Sequence, residues 1–168
     1  FMVPLGVGMA TSVRVGRAIG REEPGATRRA GVIGIRLGAA FMFAMALVMW
    51  IFPETLARLL TTEEDVIPLA ITLIRIAAAF QIFDGIQVVA AGALRGAGMT
   101  RFLLFANLLA YWCIALPISW ELGLHQKLGP KGLWWGLTIG LGISAVILSV
   151  RFLQVSKKPI KAIPLSQE

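Results

Sequence analysis

The sequence has little of what most chemistry needs. In 168 residues there is one cysteine, Cys113, and one histidine, His125. A lone thiol excludes an internal disulfide framework and any multi-cysteine metal site. A lone imidazole excludes a histidine-cluster metal site and leaves a Cys–His nucleophile pair without support. Cys113 lies inside an apolar run and reads as a small buried hydrophobe; His125 reads as an interfacial loop residue. Neither GxGxxG nor Walker spacing occurs, and the glycines of "GLTIGLGIS" (136–144) read as a helix-packing face. With no paired acid and base, activated nucleophile or metal set, neither an enzyme nor a bound cofactor is expected. Charge is also scarce: 15% of residues are charged, against about 25% in an ordinary soluble domain.

What is present is apolar. The chain is 57% hydrophobic, with a mean hydropathy of +0.79, which points to a membrane protein. The net charge of +7 would suit nucleic acid only on the basic face of a soluble domain. Here the basic residues sit between apolar runs, as at a membrane surface, so the bilayer is the expected partner and nucleic acid is not.

Five apolar stretches cover residues 1–19, 31–52, 66–94, 102–121 and 133–151 approximately. The last four are long enough to cross about 30 Å of hydrocarbon at 1.5 Å per residue. Their Gly and Ala content suits close helix packing in lipid, and several of Trp50, Trp112, Trp120, Trp134 and Trp135 fall near predicted ends, where aromatic belts form. The expectation is an all-α polytopic membrane helix bundle with about five transmembrane helices over residues 1–155, followed by a polar tail, 156–168. The first stretch starts at Phe1 without a basic n-region or a cleavage site, so it does not read as a signal peptide. It reads as a chain that starts inside a helix, hence as part of a longer protein.

Basic residues alternate between the connections. Arg14, Arg17, Arg21, Arg28, Arg29 and Arg36 follow the first stretch, Arg95 and Arg101 the third, and Arg151, Lys157, Lys158 and Lys161 the last. That places twelve on one side; Arg58, Lys127 and Lys131 make three on the other, with Arg75 inside a stretch. The positive-inside rule then puts the first, third and last segments in the cytoplasm. "PETLARLLTTEEDV" (53–66) reads as a short amphipathic helix on the outer surface, with Leu56, Leu59 and Leu60 on one face. Pro4 and Pro117 are expected to kink their helices.

Asp84 is the residue that composition does not explain. It stands near the middle of "RIAAAFQIFDGIQVVAAGALRG" (75–96). On a helix, Ala77, Gln81, Asp84, Gln87 or Val88, Ala91 and Arg95 form one stripe of small and polar side chains. Ile82, Phe83, Ile86, Val89 and Ala93 cover the other side, suited to lipid or to packed neighbours. Arg75 lies nine residues from Asp84, on the opposite side at 100° per residue, where it can snorkel. Asp84 therefore has no partner in its own helix. An ionisable group at that depth is costly: it either serves a function, facing the bundle interior or a water-filled cavity, or is hydrogen-bonded to a neighbouring helix for packing. Because its charge follows proton or cation occupancy, such a group can couple ion movement to a conformational change. Gln81 and Gln87 either orient Asp84 and contact a ligand or make interhelical hydrogen bonds. Asn107 and Tyr111, one turn apart, either line a cavity or pack.

Three segments, "MVPLGVGMATSVRVGRAIG" (2–20), "FQIFDGIQVVAAGALRGAGMTR" (80–101) and "GPKGLWWGL" (129–137), resemble the multidrug and toxic compound extrusion (MATE) family in its NorM-like bacterial branch. Their order is that of the family's C-terminal lobe, from the eighth to the twelfth helix. The resemblance implies a twelve-helix exporter of two six-helix lobes in the bacterial inner membrane. It would work by alternating access, exchanging cationic, often aromatic drugs for sodium ions or protons. It implies that Asp84 matches the tenth-helix aspartate implicated in cation binding, holding sodium if sodium is the coupling ion. It also implies that the N-terminal lobe and the seventh helix lie outside this chain. Two alternatives stand beside this reading: a flippase of lipid-linked saccharides from the same superfamily, and a small membrane subunit that does not transport.

Overall fold

The computed structural model describes residues 1–157 and residue 160. Helices run over Met2–Gly20 (α1), Pro24–Ile51 (α2), Pro53–Leu60 (α3) and Ile67–Gly96 (α4). Two more complete the bundle, Thr100–His125 (α5) and Pro130–Val155 (α6). By length and composition α2, α4, α5 and α6 can each cross a membrane; α1 is shorter and carries Arg14 and Arg17 in its last two turns. Most of the expected tail, 156–168, lies outside the described residues.

Proline and glycine set the boundaries. α2, α3, α4 and α6 all have proline in the first turn, where a missing N–H removes no intrahelical bond. Pro4 is the third residue of α1, where its missing N–H likewise removes no bond within the described helix. Pro117 behaves differently. In a regular helix its ring would strike the Cys113 carbonyl; the chain instead widens into π turns over Leu109–Ala115, just before it. A second π segment, Glu121–His125, ends α5. Gly98, at φ 73°, closes α4: its N–H donates to the Arg95 carbonyl, and the Met99 N–H to the Leu94 carbonyl. This Schellman closure requires a left-handed residue.

α4 is the centre of the bundle. It packs against α1, α2 and α6, and Val89, Ala90, Ala93 and Leu94 are fully buried. Val89 and Ala93 are thus closed in by neighbouring helices. The contacts are backbone-close. A Cβ added at Gly92 would land on the Gly8 backbone, and one at Gly96 on Ser12. Both increments are four residues, so α1 and α4 run in the same direction. Gly38 and Met42 of α2 meet Gly85 of α4 with α2 running the other way. Gly132, Gly136, Gly140 and Ser144 form a four-residue repeat on α6 that receives α5. Small residues at these crossings are what helix association in lipid requires, because dispersion there rewards only close approach.

α3 forms the short helix expected within residues 53–66. In α3, Pro53 and Ala57 are buried, Leu56 is half-buried, and Leu59 and Leu60 are exposed. The small side chains seat α3 on α4, and the two leucines point away. Arg58 bridges Glu54 at 3.2 Å and Glu64 at 2.8 Å on the exposed side, and Glu64 and Glu54 push its pKa above the ordinary arginine value. Cys113 is exposed rather than buried, on the π segment of α5. His125 ends the second π segment and pairs with Glu121 at 2.9 Å.

Candidate functional site

The site is built on α4. Asp84 is near the midpoint of a 30-residue helix, and is half-buried. Among the described residues no side chain forms an ion pair or hydrogen bond with it. Its direction follows from the helical wheel at 100° per residue. Val88 and Gly92 meet Gly8 of α1, whereas Gln87 meets α5. Asp84 lies between those two directions and so opens toward the gap between α1 and α5.

The predicted polar residues divide into separate groups. Gln81 donates from Nε2 to the Met42 carbonyl at 3.4 Å, tying α4 to α2. Gln87 donates from Nε2 to Asn107 Oδ1 at 3.2 Å, and Ser144 Oγ donates to the same oxygen at 2.8 Å. Gln87 and Ser144 are buried. One amide oxygen thus joins α4, α5 and α6. Asn107 and Gln87 fasten three helices directly beside Asp84. Ser144 is absent from the sequence-based set, although its signal was available: it continues the repeat of Gly132, Gly136 and Gly140 on the α5-facing seam.

The triad carries a stability prediction. Side-chain hydrogen bonds between membrane helices contribute about 0.6 kcal/mol on average and up to about 1.7. Ser144→Ala is expected to cost about 0.6 kcal/mol. Asn107→Ala removes the acceptor of two donors and is expected to cost about 1–2 kcal/mol, since buried groups are left unpaired. Unfolding of each purified variant in mixed micelles checks the order; a Ser144→Ala cost equal to that of Asn107→Ala would show that the shared acceptor does not matter.

Tyr111 belongs to the other group. It is half-buried and within electrostatic reach of Asp84. Further along the same gap, Arg95 is exposed beside Leu5, Met9, Ser12 and Val13, in a groove of about 440 Å³ between α1 and α4. The gap therefore presents a carboxyl at mid-helix, a phenol within electrostatic reach of it and a guanidinium near the end of α4. Phe80 and Trp134 pack edge-to-face at 5.9 Å, fixing α4 against α6 one turn before Asp84. No cluster of three or more His, Cys, Asp or Glu residues able to hold a metal occurs among the described residues. A cation at Asp84 would take one carboxylate here and its remaining ligands from carbonyls, hydroxyls or water.

Comparison with known proteins gives consistent results. The MatE family model matches residues 1–120. The chain is 40% identical over 162 residues to a probable multidrug resistance protein NorM of Bradyrhizobium diazoefficiens, covering 94% of this chain and 35% of that protein. It is 44% identical over 157 residues to a multidrug resistance protein NorM of Burkholderia vietnamiensis, covering 90% and 34%. The chain thus spans about a third of the length of these relatives. The fold matches the crystal structure of the eukaryotic MATE transporter AtDTX14 with a TM-score of 0.83 at 23% identity, covering 94% of this chain and 36% of that one. An inward-facing multidrug resistance MATE family transporter of the MOP superfamily also matches with a TM-score of 0.83, at 18% identity, over 92% of this chain and 36% of that one.

Proposed function

The chain belongs to the MatE family, and on that premise we propose that it is the C-terminal part of a cation-coupled multidrug efflux antiporter, with Asp84 as the coupling group. The observation that carries this reading is the position of Asp84: half-buried at mid-helix, without a side-chain partner among the described residues, and facing the gap between α1 and α5. A buried ionisable group left unpaired at that depth is costly unless an ion or proton satisfies it in part of a working cycle. Tyr111, within electrostatic reach of Asp84, offers a hydroxyl to an ion or substrate in the same gap. The substrates are small organic cations, often aromatic, which a carboxylate with aromatic neighbours attracts. The coupling ion is sodium or a proton.

In this reading the gap between α1 and α5 faces the rest of the transporter, the N-terminal lobe and the seventh helix. The chain crosses the cytoplasmic membrane several times, with the arginine-rich connection between α1 and α2 and the C-terminal tail in the cytoplasm. Ion binding at Asp84 favours one of two conformations, and substrate release follows that bias.

The test is transport by the full-length protein in everted membrane vesicles. Ethidium transport under an imposed sodium gradient, and separately under a proton gradient, is expected to respond to one of the two. The effective gradient names the coupling ion. Transport insensitive to both gradients would eliminate ion coupling, and absence of ethidium transport would favour the flippase reading.

A further inference from the structure

The face of α4 opposite Asp84 carries an arrangement that ion coupling does not use. Arg75 is exposed there, with its guanidinium 6.0 Å from the centre of the Trp50 ring. No carboxylate pairs with it among the described residues. From Trp50 an apolar groove of about 300 Å³ runs between α2 and α4 toward the middle of the bundle. Ala46 and Ala79 give it a shallow floor, and Phe43, Leu47 and Ile82 form its walls. The spacing is helical on both sides: Trp50, Leu47 and Phe43 descend α2, while Arg75, Ala79 and Ile82 descend α4. From Phe43 to Trp50 the groove is about 10 Å long at the helical rise of 1.5 Å per residue.

Arg75, just over two turns into α4 and level with the last turn of α2, lacks a counter-charge from the described residues. The cation–π contact with the indole uses a face of the guanidinium and leaves its N–H groups free for an anion that accepts two parallel hydrogen bonds, as a phosphate does. Directly below it lies the apolar groove, walled by the exposed Phe43 and Leu47 and the half-buried Ile82. A charged head over an apolar slot, at the level of a bilayer interface, is complementary to an amphiphile of opposite charge. We propose that Arg75, Trp50 and the α2–α4 groove form a binding site for one phospholipid of the surrounding bilayer, with its phosphodiester on Arg75 and an acyl chain along Leu47 and Ile82. The leaflet is the one opposite the arginine-rich α1–α2 connection.

The experiment is native mass spectrometry of the full-length protein, extracted in dodecyl maltoside from vesicles of palmitoyl-oleoyl phosphatidylglycerol. Only fractions with the native elution volume and melting transition are compared. The native protein is expected to retain one phospholipid. Arg75→Gln should lower its occupancy about tenfold, the scale of one charge-assisted contact. Ala79→Leu keeps the charge but fills the groove, and should lower occupancy as well. Inorganic phosphate alone should not compete. Equal retention by all three proteins would overturn the proposal. Loss in Arg75→Gln with full retention in Ala79→Leu, or displacement by inorganic phosphate, would overturn it in favour of a bare phosphate contact.

Discussion

Asp84→Asn is expected to reduce gradient-driven ethidium efflux by the full-length protein about tenfold or more, with membrane insertion unchanged. The substitution is nearly isosteric, so it removes charge without creating a cavity. It leaves an amide that neither releases a proton nor balances a sodium ion. Coupling between two sites is typically worth about 1–3 kcal/mol, a factor of roughly 5 to 150 in the conformational equilibrium. If Asp84 carries that coupling, the variant loses the factor. The diagnostic readout is the dependence on the gradient. The native protein should accelerate as the gradient steepens, and the Asn variant should give a flat line. Downhill binding of ethidium is expected to survive at least in part, because the aromatic surroundings remain. A variant that keeps the native gradient response would make Asp84 a packing residue. In that case the partnerless carboxyl facing the gap would have no functional explanation.

The second large effect is on stability. Gly92→Ala is expected to destabilise the protein by about 1–3 kcal/mol or more, the usual cost of forcing atoms into a closed contact. The added methyl would meet the Gly8 backbone of α1, and backbone cannot rotate aside as a side chain can. The two helices would have to separate along their whole crossing, which includes Gly96 against Ser12. Gly6→Ala is the matched control. Nothing lies within 4 Å of a Cβ at Gly6, so only the helix-propensity difference of about 0.5–1 kcal/mol in favour of alanine remains. Thermal unfolding in detergent should therefore move in opposite directions for two identical chemical changes. A Gly92→Ala protein as stable as the native one would mean that α1 and α4 do not pack as closely as described.

How much of this was legible beforehand depends on the level. The length and hydropathy of the apolar runs established membrane helices, because the thickness of the hydrocarbon layer sets the length of a spanning helix. The isolation of Asp84 within such a run marked it without any tertiary information, as did its separation from Arg75 by half a turn of the wheel. Three segments were enough for the resemblance to the family. The partners of each polar side chain were not legible. Gln81 and Gln87 share a predicted stripe, yet one bonds to α2 and the other to Asn107 and Ser144. A wheel gives an angle but not the helix found at that angle. Apolar periodicity is weak evidence for such chains, since lipid and helix neighbours are both apolar. Val89 and Ala93 were therefore left undecided between lipid and protein, Cys113 was placed inside when it lies outside, and Leu59 and Leu60 had no decided partner. The sequence by itself determined that the chain is a membrane helix bundle with one anomalous carboxyl. Only the tertiary structure decided which sides of α4 are closed by α1 and α2 and which gap the carboxyl faces. In lipid, helix contacts depend on shape and backbone approach, and these arise only when the helices are brought together.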